Sequence, residues 1–383
     1  MSSRPKRENM FENAAAWIPA SRARLEVSPA PYTRPRHGEI VIRNHAVAIN
    51  PVDRYKQNGG NAMYSWVKYP FVLGSDVAGE VVEIGEGVTR FAIGDHVLAH
   101  AVGIEKASNA ASGSAFQLYT VVRERMAAAI PDFLAYENAA VLPLAISTAA
   151  CGLFQKDQLA LEYPSANAKP TGQTLMIWGG STSVGSNAIQ LAVAAGYDVI
   201  TTASARNFAY VRALGATQVF DYASPTAVAD IIAALRGKQL AGALAVATGS
   251  AAQCLEIVAA SEGRKFVSIA TGGVSFDEIS PDKSVTPQLA SLGMRLVAST
   301  LPLMIRARIR GIGAKFIWGS SLMDNEVSTI LYENFLPAAL ADGRYTAAPE
   351  PLVVGHGLEF VQRAIDVQAG GVSAAKVVVT LGG

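Results

Sequence analysis

The strongest chemical signal in this sequence is the run LMIW-GGSTSVG-SNAIQLAVAAG, residues 175–196. An apolar strand pattern passes through a Gly/Ser/Thr turn directly into a helix pattern. Gly180 lets the backbone turn tightly, and Gly185 lets the helix pack close to the strand. Such a helix start offers unpaired N–H groups and the positive end of its dipole to a pyrophosphate. Ser181, Thr182, Ser183 and Val184 complete the candidate phosphate loop, with three hydroxyls among them. A tight strand–helix joint with no ligand is the plain alternative. The motif is not a strict GxGxxG, so its weight comes from opening a βαβ unit of the expected size.

The next strand, Val199 to Ala203, leads into Ser204-Ala205-Arg206-Asn207. An NAD site usually carries an acid here for the ribose 2′-OH. No Asp or Glu occurs between Asp198 and Asp221. Ser204, Arg206 and Asn207 can instead donate to a 2′-phosphate, with Arg206 supplying charge. The expected cofactor is therefore NADP(H).

The elements that position this loop follow from period and punctuation. After residue 170, strands at Leu175–Trp178, Val199–Ala203, Gln218–Phe220, Leu244–Ala247 and Phe266–Ile269 alternate with helices at 184–195, 208–214, 226–235 and 251–260. This βαβ order predicts a doubly wound parallel sheet. Before residue 150 the chain is β-rich, with strand patterns at Glu39–Arg43, Val77–Ile84 and His96–Ala99 and frequent Gly turns, as in a barrel or sandwich. The last 60 or so residues break the alternation. A helix at Asn325–Leu340, strands at Leu352–Val354 and Lys376–Leu381 and a helix at Leu358–Gln368 can complete the first domain. The expected division is 1–148 with 322–383, and 149–321: an α/β protein.

Composition sets outer limits. The chain has 383 residues, half of them hydrophobic, with 32 Lys and Arg against 31 Asp and Glu. That excludes a disordered protein and gives no basic surface for nucleic acid. No secretory signal is expected at the N-terminus, and the uncharged run 172–197 reads as a buried strand–turn–helix, so no membrane partner is expected. Cys151 and Cys254 form no CxxC pair, which suits a reducing, cytoplasmic setting. The histidines, His37, His45, His96, His100 and His356, are dispersed, so no metal site is expected.

These features resemble the medium-chain dehydrogenase/reductase superfamily. Its GroES-like signature is matched by GSDVAGEVV (74–82), GEGVTRF (85–91) and Gly94-Asp95. Asn50-Pro51-Val52-Asp53, Leu142-Pro143 and Ser147-Thr148 look like the quinone-oxidoreductase branch. GGSTSVG, SARNF (204–208), FDY (220–222), PEPLVVG (349–355) and GVSAAKVVVTL (371–381) resemble fungal zinc-free reductases that include the trans-acting enoyl reductases partnering polyketide synthases. The resemblance implies a GroES-like catalytic domain plus a Rossmann cofactor domain. It also implies that Asn50, Asp53, Tyr222, Ile269 and Lys376 line the cofactor site.

Zinc-dependent members of the superfamily use a Cys, the His of a Gly-His-Glu motif and a later Cys or acid. By resemblance these positions fall at Asn50-Pro51, Gly74-Ser75-Asp76 and about Leu144, and residues 100–116 lack the cysteines of a structural zinc lobe. Without a metal, the implied chemistry is conjugate reduction: hydride to the β-carbon of an unsaturated carbonyl, enolate stabilised by protein donors, proton to the α-carbon. Candidate donors are Tyr55 and Lys56, and the family suggests that Thr148 positions the nicotinamide. Asp53 can equally be a helix cap, Tyr55 a half-buried aromatic and Lys56 a solvated charge.

Trp66, Tyr69, His100 and Phe116 are candidate pocket residues by chain position. The run 301–317 is a candidate lid, oligomer contact or carrier-docking surface, or an ordinary connection with solvated arginines. The substrate is expected to be a free or carrier-bound unsaturated carbonyl, a polyketide synthase is a candidate partner, and the chain a monomer or homodimer. An NADPH:quinone oxidoreductase and a non-catalytic NADP-binding protein are the alternatives.

Overall fold

The computed structural model describes residues 11–62, 64–273, 279 and 284–382. The extreme N-terminus, where no signal was expected, lies outside them. The first unit comprises β1 (Asn13–Ile18), β2 (Glu26–Ala30), β3 (Glu39–Ala48), α1 (Pro51–Gly59), β4 (Phe71–Val72), β5 (Asp76–Ile84), β6 (His96–His100), β7 (Tyr119–Arg123) and β8 (Ala127–Ala129). Two helices, α2 (Tyr136–Ala139) and α3 (Pro143–Phe154), lead to the second unit. There β9 (Gln173–Trp178), α4 (Ser183–Ala194), β10 (Asp198–Ala203), α5 (Phe208–Ala213), β11 (Gln218–Asp221), α6 (Ala227–Ala234), β12 (Gln239–Ala245), α7 (Ala251–Ala260), β13 (Phe266–Ile269), α8 (Val285–Ile309) and β14 (Gly313–Phe316) follow in turn. The chain closes with α9 (Glu326–Ser328), α10 (Leu336–Ala341), β15 (Glu350–His356), α11 (Val361–Ala369) and β16 (Ala375–Thr380).

The second unit is a six-stranded parallel sheet in the order β11-β10-β9-β12-β13-β14. Its central strands are buried on both faces, as Leu175–Trp178 and Ala241–Ala245 show. That explains their unbroken apolar character in sequence. The first unit is a seven-stranded sheet, β15-β16-β3-β5-β6-β8 with β7 on β3, beside a small sheet of β2-β1-β4. β16 runs antiparallel to β3, so the C-terminal strands lie in the first sheet.

Two local expectations are corrected. β12 begins at Gln239, not Leu244, because the small residues around Gly242 carry little strand signal and bulge the register between Leu240 and Ala243. Residues 325–340 are not one helix: a π-helical stretch, Thr329–Phe335, intervenes where Pro337 cannot donate its backbone N–H. The run 301–317 resolves into the end of α8 and the edge strand β14.

Gly74 ends the approach to β5 at φ +99°, and a Cβ there would lie 2.4 Å from Phe116 Cδ1. Phe116 is accordingly a core residue, fully buried rather than pocket-lining. Gly74→Ala should lower unfolding free energy by about 1–3 kcal/mol through φ strain and overpacking, read from urea melts; wild-type stability would contradict this placement of β5.

Candidate active site

At the centre of the first unit three buried polar side chains meet. Asn50, the residue before α1, donates from Nδ2 to Asp76 Oδ2 at 2.8 Å. It accepts from Lys376 Nζ at 2.6 Å through Oδ1. Lys376 lies 2.9 Å from the same Asp76 oxygen. The other Asp76 oxygen takes the backbone N–H of Leu144, in the first turn of α3, at 2.6 Å. An ion pair this deeply buried survives only with its remaining polar valences satisfied. Here an amide, an ammonium and a helix N–H satisfy the carboxylate.

Asp53 sits beside this cluster, capping α1: its Oδ2 accepts the Asn50 backbone N–H at 2.8 Å. Burial pushes its carboxyl up to about 7, against backbone hydrogen bonding and with the negative Asp76 nearby adding to the rise. The plain reading of Asp53 as a cap therefore describes its contact. Asn50, Asp53 and Lys376, all implied at the cofactor site, are engaged with one another or with Asp76.

Tyr55 is half-buried on α1. Lys56 is neither a solvated charge nor free to act as an acid. Its Nζ donates to Gly60 O, Asn61 Oδ1 and Tyr64 O at 2.9, 3.1 and 3.1 Å, so its protons hold the loop after α1. Burial pulls its ammonium down to about 8. Thr148 Oγ1 donates to Leu144 O at 2.8 Å. The chain leaving β14 passes close by: a Cβ on Gly319 would sit 2.3 Å from that hydroxyl oxygen.

Sequence reasoning missed a second buried chain. His100 lies opposite Asp76 on β6, with Nδ1 2.9 Å from Ser147 Oγ. Ser147 is 2.7 Å from Tyr332 OH, which donates to Pro143 O at 3.0 Å. With Tyr332 committed to Pro143, Ser147 donates to Tyr332 and accepts from His100 Nδ1–H. Burial holds the imidazole neutral, its pKa lowered to about 4. A single histidine and a distant tyrosine carry no spacing signal that would join them.

In the second unit the loop geometry matches a phosphate cradle. Gly179 has φ +100°, and the amides of Gly179 and Gly180 reach Thr202 Oγ1 and Thr202 O at 3.0 and 2.9 Å. Thr182 caps α4: its hydroxyl donates to Gly179 O at 2.8 Å and accepts from Gly185 N at 3.0 Å. A Cβ on Gly185 would fall 2.1 Å from Gly179 O, and one on Gly180 2.3 Å from Thr201 Oγ1. Only glycine permits this approach. Ser181, Thr182, Ser183 and Val184 are half-exposed at the helix mouth. The first-turn amides of Ser183 and Val184 have no intrahelical partner. The residues present fit a dinucleotide pyrophosphate.

The chain leaving β10 forms a rim beside the loop. Arg206 is exposed, Ser204 half-exposed, and Tyr222 stands exposed with its N–H 3.4 Å from Ala203 O. Asn207 Nδ2 donates to Ser373 Oγ at 3.1 Å, tying the rim to the C-terminal segment. Ile269 is buried at the end of β13 and accepts from Ile317 N at 2.9 Å. Across the cleft, Glu105 takes Trp318 Nε1 on one oxygen at 3.1 Å and Ser320 Oγ on the other at 2.6 Å. The expected pocket residue Trp66 spends its Nε1 on Ile104 O at 2.9 Å, and the Tyr69 ring lies 5.2 Å from Lys56 Nζ.

A parallel sheet with a phosphate cradle, joined to a second domain with a buried polar cluster, defines a two-domain nucleotide-dependent oxidoreductase. The family described as "Alcohol dehydrogenase GroES-like domain" matches residues 36–132, and "Zinc-binding dehydrogenase" matches 183–307. The chain is 49% identical to "Dehydrogenase pigH" of Monascus ruber, over 97% of this chain and 100% of that protein. It is 38% identical to "Trans-enoyl reductase himH" of Aspergillus japonicus, over 96% and 97% of the two chains. In fold it is similar to the crystal structure of CurK enoyl reductase, with TM-score 0.70 at 16% identity, covering 97% and 100%. The chain belongs to the medium-chain dehydrogenase/reductase superfamily.

The second family's description implies zinc, and the residues do not fit it. The segments whose resemblance pointed to ligand positions, Asn50-Pro51, Gly74-Ser75-Asp76 and about Leu144, bring together a carboxamide, a backbone N–H and the Asp76 carboxylate already paired with Lys376. Among the described residues no three His, Cys, Asp or Glu side chains gather as ligands. An ammonium inside the cluster opposes a divalent cation.

Asp53 and His100 make opposed contributions to stability with pH. The raised Asp53 pKa contributes stability that is complete below the ordinary 3.8 and lost as pH rises through about 7. The lowered His100 pKa contributes stability that is complete above 6.5 and lost as pH falls through about 4. Between those limits the two proton balances cancel, with Asp76 and Lys376 the charged neighbours of both. Asp53→Asn should therefore gain stability from about pH 4.5 to 6.5, and His100→Asn should lose it, each by up to about 1.4 kcal/mol per pH unit relative to wild type. Parallel urea-stability profiles for all three proteins would contradict this assignment.

Proposed function

We propose that the protein is a zinc-independent, NADPH-dependent reductase of the C=C bond in α,β-unsaturated carbonyl compounds. The observation that carries this reading is the filling of the metal-ligand positions by an amide, a hydroxyl-bearing serine and a backbone N–H around a lysine–aspartate pair. With that donor set, the site is suited to a substrate whose carbonyl needs only hydrogen-bond donors. A trans-enoyl reductase among its relatives supports the same reaction class.

Held on the loop 180–185, NADPH would supply the hydride for such a reduction. The chain's own task is to orient the substrate, stabilise the enolate oxygen and deliver a proton to the α-carbon. Tyr55 is the donor we assign, because Lys56 is committed to its loop. Thr148, anchored to Leu144 O, holds its place beside the passing Gly319 backbone and orients the nicotinamide. The Asp76–Asn50–Lys376 cluster positions α1 and α3, which carry Tyr55 and Thr148. The exposed Arg206, with Ser204, recognises the 2′-phosphate.

NADPH oxidation measured against a panel of enones, enoyl thioesters and quinones tests the reaction class. Enone or enoyl turnover is expected to dominate; quinone-only turnover would favour a quinone oxidoreductase, and no turnover despite tight NADPH binding a non-catalytic protein. Arg206→Ala should raise KM for NADPH at least tenfold and leave that for NADH within twofold, consistent with loss of a hydrogen bond to a charged group of about 1.5–3 kcal/mol. Equal effects on both cofactors would remove Arg206 from the 2′-phosphate. Tyr55→Phe should lower kcat about 100-fold with little change in KM, and full kcat on every substrate would exclude Tyr55 as the acid.

A further inference from the structure

The helix α8 is apolar on two opposite sides. Inward, Leu292 and Ala307 are buried, and Leu296 and Ser299 lie against Gly272 and Gly273 at the end of β13. Outward, Met294, Val297, Leu301, Met304, Ile305 and Ile309 recur at helical spacing and are 36–80% exposed. They form a stripe about 22 Å long at 1.5 Å per residue. A helix side facing water is ordinarily polar, and a continuous exposed apolar stripe marks a contact surface.

Charge gives that contact a sign. The 25 residues of α8 include no Asp or Glu. Arg306, Arg308 and Arg310 are exposed, and among the described residues none has a side-chain partner. Nearby Lys315 is already paired with Asp157. Two copies of this helix packed face to face would bring together arginines with no acid from either. By length and composition α8 could also cross a membrane. Its stripe, however, contains no aromatic residue, Arg308 interrupts its end, and the whole chain carries a net charge of only +1. An acidic protein surface with an apolar ridge complements it better.

Position narrows the partner further. The inner side of α8 packs on the segment that leaves the C-terminal end of β13, the side where a doubly wound sheet binds its ligands. An occupant of the outer side therefore sits one helix diameter from that crevice. We propose that the outward face of α8 is the docking surface of an acidic carrier domain, which presents the unsaturated acyl group as a thioester on a flexible arm. This rests on the enoyl-reductase reading above.

The test compares crotonyl thioesters of an acyl carrier domain and of N-acetylcysteamine, with full-length enzyme and NADPH. The variant carries Arg306→Glu, Arg308→Glu and Arg310→Glu, and its melting curve must match that of the wild type. Leu301→Ser is a second variant that leaves charge unchanged. Wild-type kcat/KM is expected to be at least tenfold higher for the carrier-bound thioester at low salt and to fall with added NaCl. The triple variant should lose that advantage while staying within twofold on the small thioester, and Leu301→Ser should lose part of it. Unchanged carrier turnover in both variants would overturn the docking surface and leave the reductase reading standing. Failure of the wild type on both thioesters would overturn both. Arginine-dependent flotation with phosphatidylserine vesicles without any carrier preference, or a dimer in sedimentation that the variants dissociate, would overturn the carrier in favour of a lipid surface or a second copy.

Discussion

The Asp76–Lys376 pair is the interaction on which the first unit depends. It joins β5, near the middle of the first unit, to β16, at the end of the chain. Through Asn50 and the Leu144 amide it also fixes the starts of α1 and α3. A buried carboxylate loses several kcal/mol of hydration, and one left without its cation is strongly destabilising. Four segments distant in sequence must therefore arrive together before the charge can be enclosed. The pair has a registry role: it rejects arrangements in which β16 slips or α3 starts elsewhere, since either would strand a charge.

The same pair accounts for the charge balance of the cluster around it. The converging strand and helix ends create a polar, enclosed point. Lys376 supplies the positive charge that Asp76 requires, and Asn50 bridges the two. Unlike an open metal site, this cation is spent on its neighbours. The placement of α1 and α3 is therefore tied to a buried charge as well as to packing.

Much of this was legible in the sequence where the signal is local. GGSTSVG between an apolar strand and a helix specified its cradle, because the glycines answer contacts within the same βαβ unit. Asp53 three residues after Asn50 specified a cap. What was illegible depends on distant partners. Lys56 looks like a surface lysine or a candidate acid until three oxygens from the following loop surround it. His100, Ser147 and Tyr332 come from β6, α3 and the π-helical stretch, with no pattern linking them. α8 escaped a periodicity reading because apolar residues on both sides flatten its amphipathic contrast, and β12 because Ala and Gly carry little strand propensity.

The two domains divide the work according to what each can hold rigid. Close glycine–backbone approaches shape the cradle, leaving it little freedom to re-form around another ligand. The polar cluster is equally constrained, by charge rather than by sterics. Between them stands Glu105, which uses one oxygen for Trp318 and the other for Ser320. Those two residues follow β14 and flank Gly319, the residue against Thr148. The clasp therefore sets how the exit of the nucleotide-binding sheet meets α3, the helix whose first turn is tied to Asp76. An error at Glu105 would propagate to Thr148 without touching either rigid centre. Reacting groups held on two stiff halves tolerate little displacement, so this half-buried contact is where the relative geometry of the halves is set.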